Sequence, residues 1–348
     1  MQFINPPTGM ASPGITNLSE TSSSSIGRVR RWLFNDPELY GQLSPAEARR
    51  IDWMRAGPFL LLHGLVLLIP VVGVSPVAVA FAVGLYLVRM FLVTAVFHRY
   101  FSHRSYRLSR GMQFILAVLA CTAGQRGPLW WAGHHREHHV ESDTPQDPHS
   151  PRQHGRWYSH ALWFLTRGSF ATPTARVKDW TRYPELRWLE AFDWLPFVGL
   201  GAACAAAGWW LQRDVASLGT SASQMFVWGF AVSTVLLYHA TYTINSLAHG
   251  WGSRRFDTDD DSRNNPLLAL ITLGEGWHNN HHHYPASARM GFYWWEVDLT
   301  HLGLRGMETV GLASDLRPVP GKILRDGRGR DALRRRQRRE TAARRRAA

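Results

Sequence analysis

The chain has 348 residues and a formal net charge of +13, carried almost wholly by Arg, because Lys occurs only at Lys178 and Lys322. Its two cysteines, Cys121 and Cys204, lie far apart in apolar runs, which excludes a disulfide framework, a zinc knuckle and a rubredoxin-like CxxC iron site. The mean hydropathy of −0.21 would suit a soluble protein, but apolar residues and charges are segregated into separate blocks, so the average excludes nothing.

Residues 1–26 are polar and rich in Ser, Thr, Pro and Gly, without the basic start and apolar core of a secretory signal. A disordered polar tail over 1–30 is expected. Residues 58–74 and 76–97 then form one apolar hairpin, and 194–212 and 224–245 a second, each close to the roughly 20 residues that a spanning helix needs. The run 112–123 is too short to span and belongs at an interface or in a core. The expected architecture is an all-α integral membrane protein with four transmembrane helices in two hairpins. Its main domain covers 31–320, with a cytosolic helical cap drawn from 98–193 and 246–320.

Charge orients this arrangement. Arg is dense before residue 58, between the second and third spans and after the fourth, whereas the hairpin tips carry only Arg213 and Asp214. The positive-inside bias therefore puts both termini and the cap in the cytoplasm, most simply at a bacterial inner membrane. Arg89, inside the second run, is expected to snorkel to the headgroups. Residues 325–348 contain eleven Arg; 321–348 is expected as a basic disordered tail, lying on anionic lipid rather than binding nucleic acid.

The 17 histidines matter through their placement: His98 and His103; His134, His135, His138 and His139; His278, His281, His282 and His283; and His249 a few residues beyond the fourth span. On a helix His135, His138 and His139 share a face, as do His278, His281 and His282. His98 and His103 are five apart, about 140° around an ideal helix, so they either serve different metals or sit where a helix loosens. About nine imidazoles exceed the ligand demand of one ion, and two metals are the economical explanation; imidazole suits iron, copper, zinc or nickel alike. His63, His149, His154, His160, His239 and His301 are read as interface, capping or core residues, with His134 and His283 beside the triplets in outer or surface roles.

HRYFSHRSY (98–106), GPLWWAGHHREHHVESDTPQDPHS (127–150), NSLAHGWG (245–252) and GEGWHNNHHHYP (274–285) together resemble the membrane acyl-CoA (stearoyl-CoA type, delta-9) fatty acid desaturases, specifically their bacterial branch. The resemblance runs from about residue 58 to about 318. It implies a four-helix stem and a cytosolic cap holding two iron ions. The implied ligands are His98, His103, His135, His138, His139, His249, His278, His281 and His282, with Asn245 reaching a metal through water. Asn245 and His249 are four apart, so one helical face would serve both. Glu137, which departs from many relatives, is a candidate partner for Arg136 or an outer group of the site, and His283 replaces a less polar residue.

The implied reaction is O₂-dependent desaturation of a long-chain fatty acyl group by a non-haem di-iron centre, with histidines as ligands rather than acid–base catalysts. Acyl-CoA is the expected substrate, with a delta-9 double bond; lipid-linked acyl chains and fatty acyl hydroxylation with the same metal core are the alternatives. A His-rich metal transporter or sensor is the competitor from another class, but transporters place ionisable ligands mid-membrane, whereas these clusters lie past the span ends. Trp130 and Trp131 either line the acyl tunnel, Trp131 turning toward the metals, or anchor the chain at the interface. No Rossmann GxGxxG and no haem-binding His-Pro-Gly-Gly occurs, so a separate ferredoxin- or cytochrome-type donor with its reductase is implied.

Overall fold

The computed structural model describes residues 25–347, and the expectation for residues 1–24 lies outside that range. Within it the chain is helical, and pairing between extended segments is limited to isolated bridges such as Ser253 with Asn264.

The N-terminal stretch is not wholly without structure. Helix α1 (Ser25–Leu33) carries Trp32 and is pinned to the body, where Trp194 donates from Nε1 to Leu33 O at 2.9 Å. Helix α2 (Trp53–Val66) starts at an Asp52 cap that accepts from Met54 N. Residues 58–74 do not make one span. After Val66 the chain turns at Leu67 and Leu68 and restarts as a short helix Ile69–Val72. Pro70 accounts for the break, since its ring clashes with the carbonyl four residues earlier and it lacks an N–H.

Among the described residues three helices are long and apolar enough to cross a membrane: α3 (Pro76–Ser102), then α7 (Trp194–Asp214) and α8 (Ala222–Ser246). Helix α3 packs along α8, and α2 and α7 flank α8. The α7–α8 pair closes through small residues: a Cβ on Gly208 would lie 2.7 Å from Ser221 O, so only glycine permits this approach.

Arg89 on α3 corrects the snorkelling expectation. It is 1% exposed and donates to Leu85 O (3.2 Å), Thr122 O (3.3 Å), Thr234 Oγ1 (2.7 Å) and Ser233 Oγ (2.5 Å). These acceptors tie α3, the end of α4 (Arg110–Cys121) and α8 together through a charge that donates to carbonyl and hydroxyl oxygens.

The cap consists of α5 (Pro128–Glu141), α6 (Pro184–Ala191), α9 (Pro266–Ile271), α10 (His278–His283) and α11 (Leu299–Thr309) with their connections. Its core continues that of the stem, running from Met90, Phe97 and Phe101 through Leu129 to Trp180, Leu186 and Leu189. Residues 321–347, expected as a disordered tail, form helix α12 (Gly321–Ala347), whose Ile323 and Leu324 pack on Phe256, Phe292 and Tyr293.

Candidate metal centre

Four segments supply the imidazoles, and local geometry decides which meet. From Val93 to Ser102 helix α3 widens to π-helical i→i+5 bonding, and His103 N donates to His98 O at 3.3 Å. Residues five apart thereby reach one face, and the His98 and His103 rings stand 4.9 Å apart. The loosened-helix alternative is the one realised.

The triplets on α5 and α10 each divide. His98, His103, His135, His139 and His281 form one group, and His138, His249, His278 and His282 a second; within each, the ring nitrogens all lie within 4.8 Å of one another. An i,i+4 pair is offset by about 40° around a helix and an i,i+3 pair by about −60°. Accordingly His135 and His139 stay together while His138 turns to the other group, and His278 and His282 stay together while His281 turns away. Each helix thus serves both groups. In the first, His103 Nε2 faces His135 Nε2 at 2.9 Å, and His281 Nε2 faces both His98 Nε2 and His139 Nε2 at 3.0 Å. In the second, His249 Nε2 faces His278 Nε2 at 3.0 Å.

Four carboxylates that sequence reasoning did not name hold the outer nitrogens. His138 Nδ1 donates to Asp147 (3.0 Å), His249 Nδ1 to Asp143 (2.8 Å) and His282 Nδ1 to Asp260 (2.6 Å), while His98 Nδ1 pairs with Glu275. This fixes the tautomer and leaves Nε2 facing inward. Asp143 and Asp147 stand in the quoted stretch 127–150, four apart and just past the second histidine box, which is the signal that could have found them. Nothing in the sequence ties Glu275 to His98.

Burial and then repulsion from neighbouring imidazoles push His103, His135, His139, His278 and His281 well below the usual imidazole range. Burial likewise lowers His282 to about 4 against the pull of Asp260. Burial also works against the His138 cation, but Asp147 outweighs it and raises that ring. Asp143, Asp147 and Asp260 are held below the usual carboxylate range by their histidines, although burial opposes this. Most of these rings are therefore neutral at pH 7, as metal binding requires. His282 Nε2 is buried with no partner. An all-imidazole donor set whose Nε2 atoms converge, that of His282 without a partner, fits transition-metal ions and not hard cations such as calcium or magnesium.

A cavity of about 260 Å³ runs beside the first group, between α2, α7 and α8. Phe59, Leu62, Phe197 and Tyr238 line it on the stem side, and Trp131, His135 and Asn245 on the metal side. Trp130 also lines it, 5% exposed and donating from Nε1 to Ser169 O at 2.8 Å, and Trp131 stacks on His135 with centroids 5.0 Å apart. Both tryptophans thus face inward rather than anchoring an interface. Asn245 shares a smaller cavity with His135, His138 and His278. At the cap side of the larger one, Arg126 pairs with Asp193 (3.0 Å) and Arg55 donates to Phe164 O, Ser169 O and Phe170 O.

The other histidines separate from the two groups, with one exception. His149, read as structural, lies against Asp147 and His138. His63, His239 and His160 bond in a row that ends on Ser246. His134 contacts Ala171 O, and His283 stacks flat on Phe256. Glu137 pairs with Arg176 and not with Arg136, whose partner is Asp179.

Nine clustered imidazoles, four of them held by carboxylates, at the mouth of an apolar helical stem define a histidine-rich site compatible with metal binding. The fatty acid desaturase profile matches residues 74–309, and the chain belongs to that family. It is 33% identical over 313 residues to the delta-9 acyl-lipid desaturase 2 of Arabidopsis thaliana, covering 89% of this chain and 94% of that one. It is 33% identical over 294 residues to the sn-2 palmitoyl-lipid 9-desaturase of Nostoc sp. (strain 36), covering 81% and 96%. To the acyl-CoA C20 Delta5-desaturase of Anemone leveillei it is 35% identical over 238 residues, covering 67% and 71%.

Proposed function

We propose that this desaturase introduces a delta-9 double bond into a fatty acyl chain carried by a membrane lipid, using two iron ions held by His98, His103, His135, His139 and His281 and by His138, His249, His278 and His282, with Asn245 reaching the second through water. The observation that carries this reading is the pair of imidazole groups beside a cavity with apolar walls. When bound, the irons would supply the activation of O₂ and the oxidising power that no side chain has.

The chain's own residues do the rest. The carboxylates hold the Nδ1 atoms of His98, His138, His249 and His282 so that these four rings keep their orientation. Phe59, Leu62, Phe197 and Tyr238 exclude water and fix the acyl register by burying methylenes at about 0.8 kcal/mol each. His135 and Trp131 bring that chain beside the first group. The reaction balances as O₂ + 2 H⁺ + 2 e⁻ + R–CH₂–CH₂–R′ → R–CH=CH–R′ + 2 H₂O, with two electrons from the substrate and two from a separate donor.

A lipid-linked chain is favoured over acyl-CoA by the names of the Arabidopsis and Nostoc relatives. It is also favoured by the engagement of Arg55 and Arg126 with carbonyls and Asp193, which commits the guanidiniums that a CoA diphosphate would need. Acyl-CoA is the second reading, supported by the Anemone relative. The stem crosses the membrane by α3, α7, α8 and the broken first segment, with both termini and the metal centre cytoplasmic, as the Arg distribution favours.

The test reconstitutes the iron-loaded chain with a reductant, supplies one defined acyl chain either in phospholipid or as its CoA thioester, and locates any double bond by mass spectrometry. Loss of two hydrogens from the phospholipid chain is expected. Gain of an oxygen would make the chain a hydroxylase, and turnover of the thioester alone would transfer the reading to acyl-CoA. His281→Ala should abolish turnover and lower bound iron while the protein stays in the membrane; full activity in that variant would remove the proposed ligand set.

A further inference from the structure

Two features have no part in the chemistry above: the Arg-rich helix α12 and His283, the last histidine of the third box. They meet. Ile323 and Leu324 seat the start of α12 on Phe256 and Tyr293, and Tyr293 donates its hydroxyl to Leu324 O at 2.9 Å. Arg255 joins Asp331 of α12 (3.0 Å) to Asn280 of α10 (2.9 Å), and Arg330 pairs with Asp257. Asn279 accepts from Arg255 N (2.7 Å) and Phe256 N (2.8 Å), fastening that loop to the helix that carries His281 and His282. On the outside of this assembly His283 is exposed and stacks on Phe256, with rings 4.0 Å apart and 3° from parallel. Its chain neighbour His282 belongs to the second imidazole group.

Beyond Leu324 the sequence of the helix is strongly basic. Residues 325–348 hold eleven Arg against Asp326, Asp331 and Glu340. Trp295, Arg328, Arg335, Arg336 and Arg339, with Asp331 and Glu340 among them, line an open groove of about 520 Å³. A helix that lies in a bilayer interface carries a continuous apolar face, whereas here the only large apolar residue after Leu324 is Leu333. The cationic face is therefore built to meet another charged surface rather than to insert.

We propose that α12 and the His283–Phe256 stack form the docking face for a separate one-electron carrier protein with an acidic surface, and that electrons pass to the second imidazole group through His283 and His282. The proposal rests on the desaturase reading, which needs two external electrons that no motif of this chain can supply. The Arg row supplies charge complementarity and steering, and the flat aromatic stack marks the point at which the carrier comes closest to the metals.

The test uses the full chain in nanodiscs of neutral phosphatidylcholine, with an acidic [2Fe–2S] ferredoxin as probe. Wild type should bind the ferredoxin, with affinity falling as salt rises. Arg335→Glu with Arg339→Glu should weaken binding about tenfold and raise the KM for the donor, with kcat at saturating donor unchanged. His283→Ala should leave binding intact but slow electron transfer from pre-reduced ferredoxin about tenfold, and His283→Phe, which keeps the stack, should restore it. Equal affinities in wild type and the double variant, or no binding by wild type, would overturn the proposal. So would α12 amides that become protected from exchange only when phosphatidylglycerol is present, which would make this a lipid-binding face. The binding arm needs no turnover, so a chain that binds ferredoxin yet desaturates nothing with any reductant would count against the desaturase reading alone.

Discussion

His249 shows how much work one outer carboxylate does. Its Nδ1 donates to Asp143, which also accepts from Asp261 N (2.8 Å) and Ser150 Oγ (2.6 Å), so three segments converge on one side chain. Asp143 adopts φ +59°, a left-handed conformation that Asp tolerates better than most residues. Asp143→Asn should therefore lower metal affinity about 10- to 100-fold without expelling the protein from the membrane, as measured by metal titration. An unchanged affinity would show that His249 is oriented by something else. At this scale the nine histidines were legible because helical spacing shows on the page. The carboxylates were less so: Glu275 meets His98 only after the chain has folded across the stem. Arg89 was misread for the same reason, because Ser233 and Thr234, which satisfy it, lie on a helix far along the chain.

Among the elements, α5 is anchored at the end remote from its last histidines. Leu129 N donates to Glu190 Oε2 at 3.1 Å and Thr172 Oγ1 to Glu190 Oε1 at 2.5 Å, and a Cβ on Gly127 would fall 2.2 Å from that carboxylate. Burial, followed by the Asp193 charge, pushes the Glu190 carboxyl up to about 7. A raised carboxyl adds stability that is complete below its unfolded pKa and is lost as pH rises through the folded one. Wild type should therefore lose stability relative to Glu190→Gln between about pH 5 and about pH 8, by at most about 3 kcal/mol. Parallel melting curves for the two proteins across that range would contradict the assignment. The helices themselves were largely legible from apolar runs. The first expected span was not, because a composition window does not register the break that Pro70 imposes, and α12 was missed because its few anchoring contacts with Phe256 and Tyr293 are tertiary.

At the scale of the whole molecule, the proposed substrate and the proposed donor would approach from different sides. The cavity lies against the first imidazole group, and α12 stands beside His283, the chain neighbour of His282 in the second. The stem end of the cavity is formed by Leu62 with Phe59, Phe197 and Tyr238. Leu62→Trp should favour shorter acyl chains, with each methylene excluded costing about 0.8 kcal/mol, roughly fourfold in kcat/KM, in competition between chains of two lengths. Unaltered preference would mean that the acyl chain ends elsewhere. The two-sided plan was not legible in the sequence, since it follows from how the triplets on α5 and α10 divide. One consequence reaches to the gene. The widened turn over Val93–Ser102 holds His98 and His103 on one face because the helix there accommodates more residues per turn than an α-helix would. Deleting a single codon between Val93 and Phe97 would let the helix close to α-helical bonding, in which His98 and His103, still five apart, stand about 140° from each other. The hydropathy of the span would scarcely change while the first metal pocket lost its register, so a pseudo-enzyme of this family could arise by one in-frame deletion and still look like a desaturase by composition.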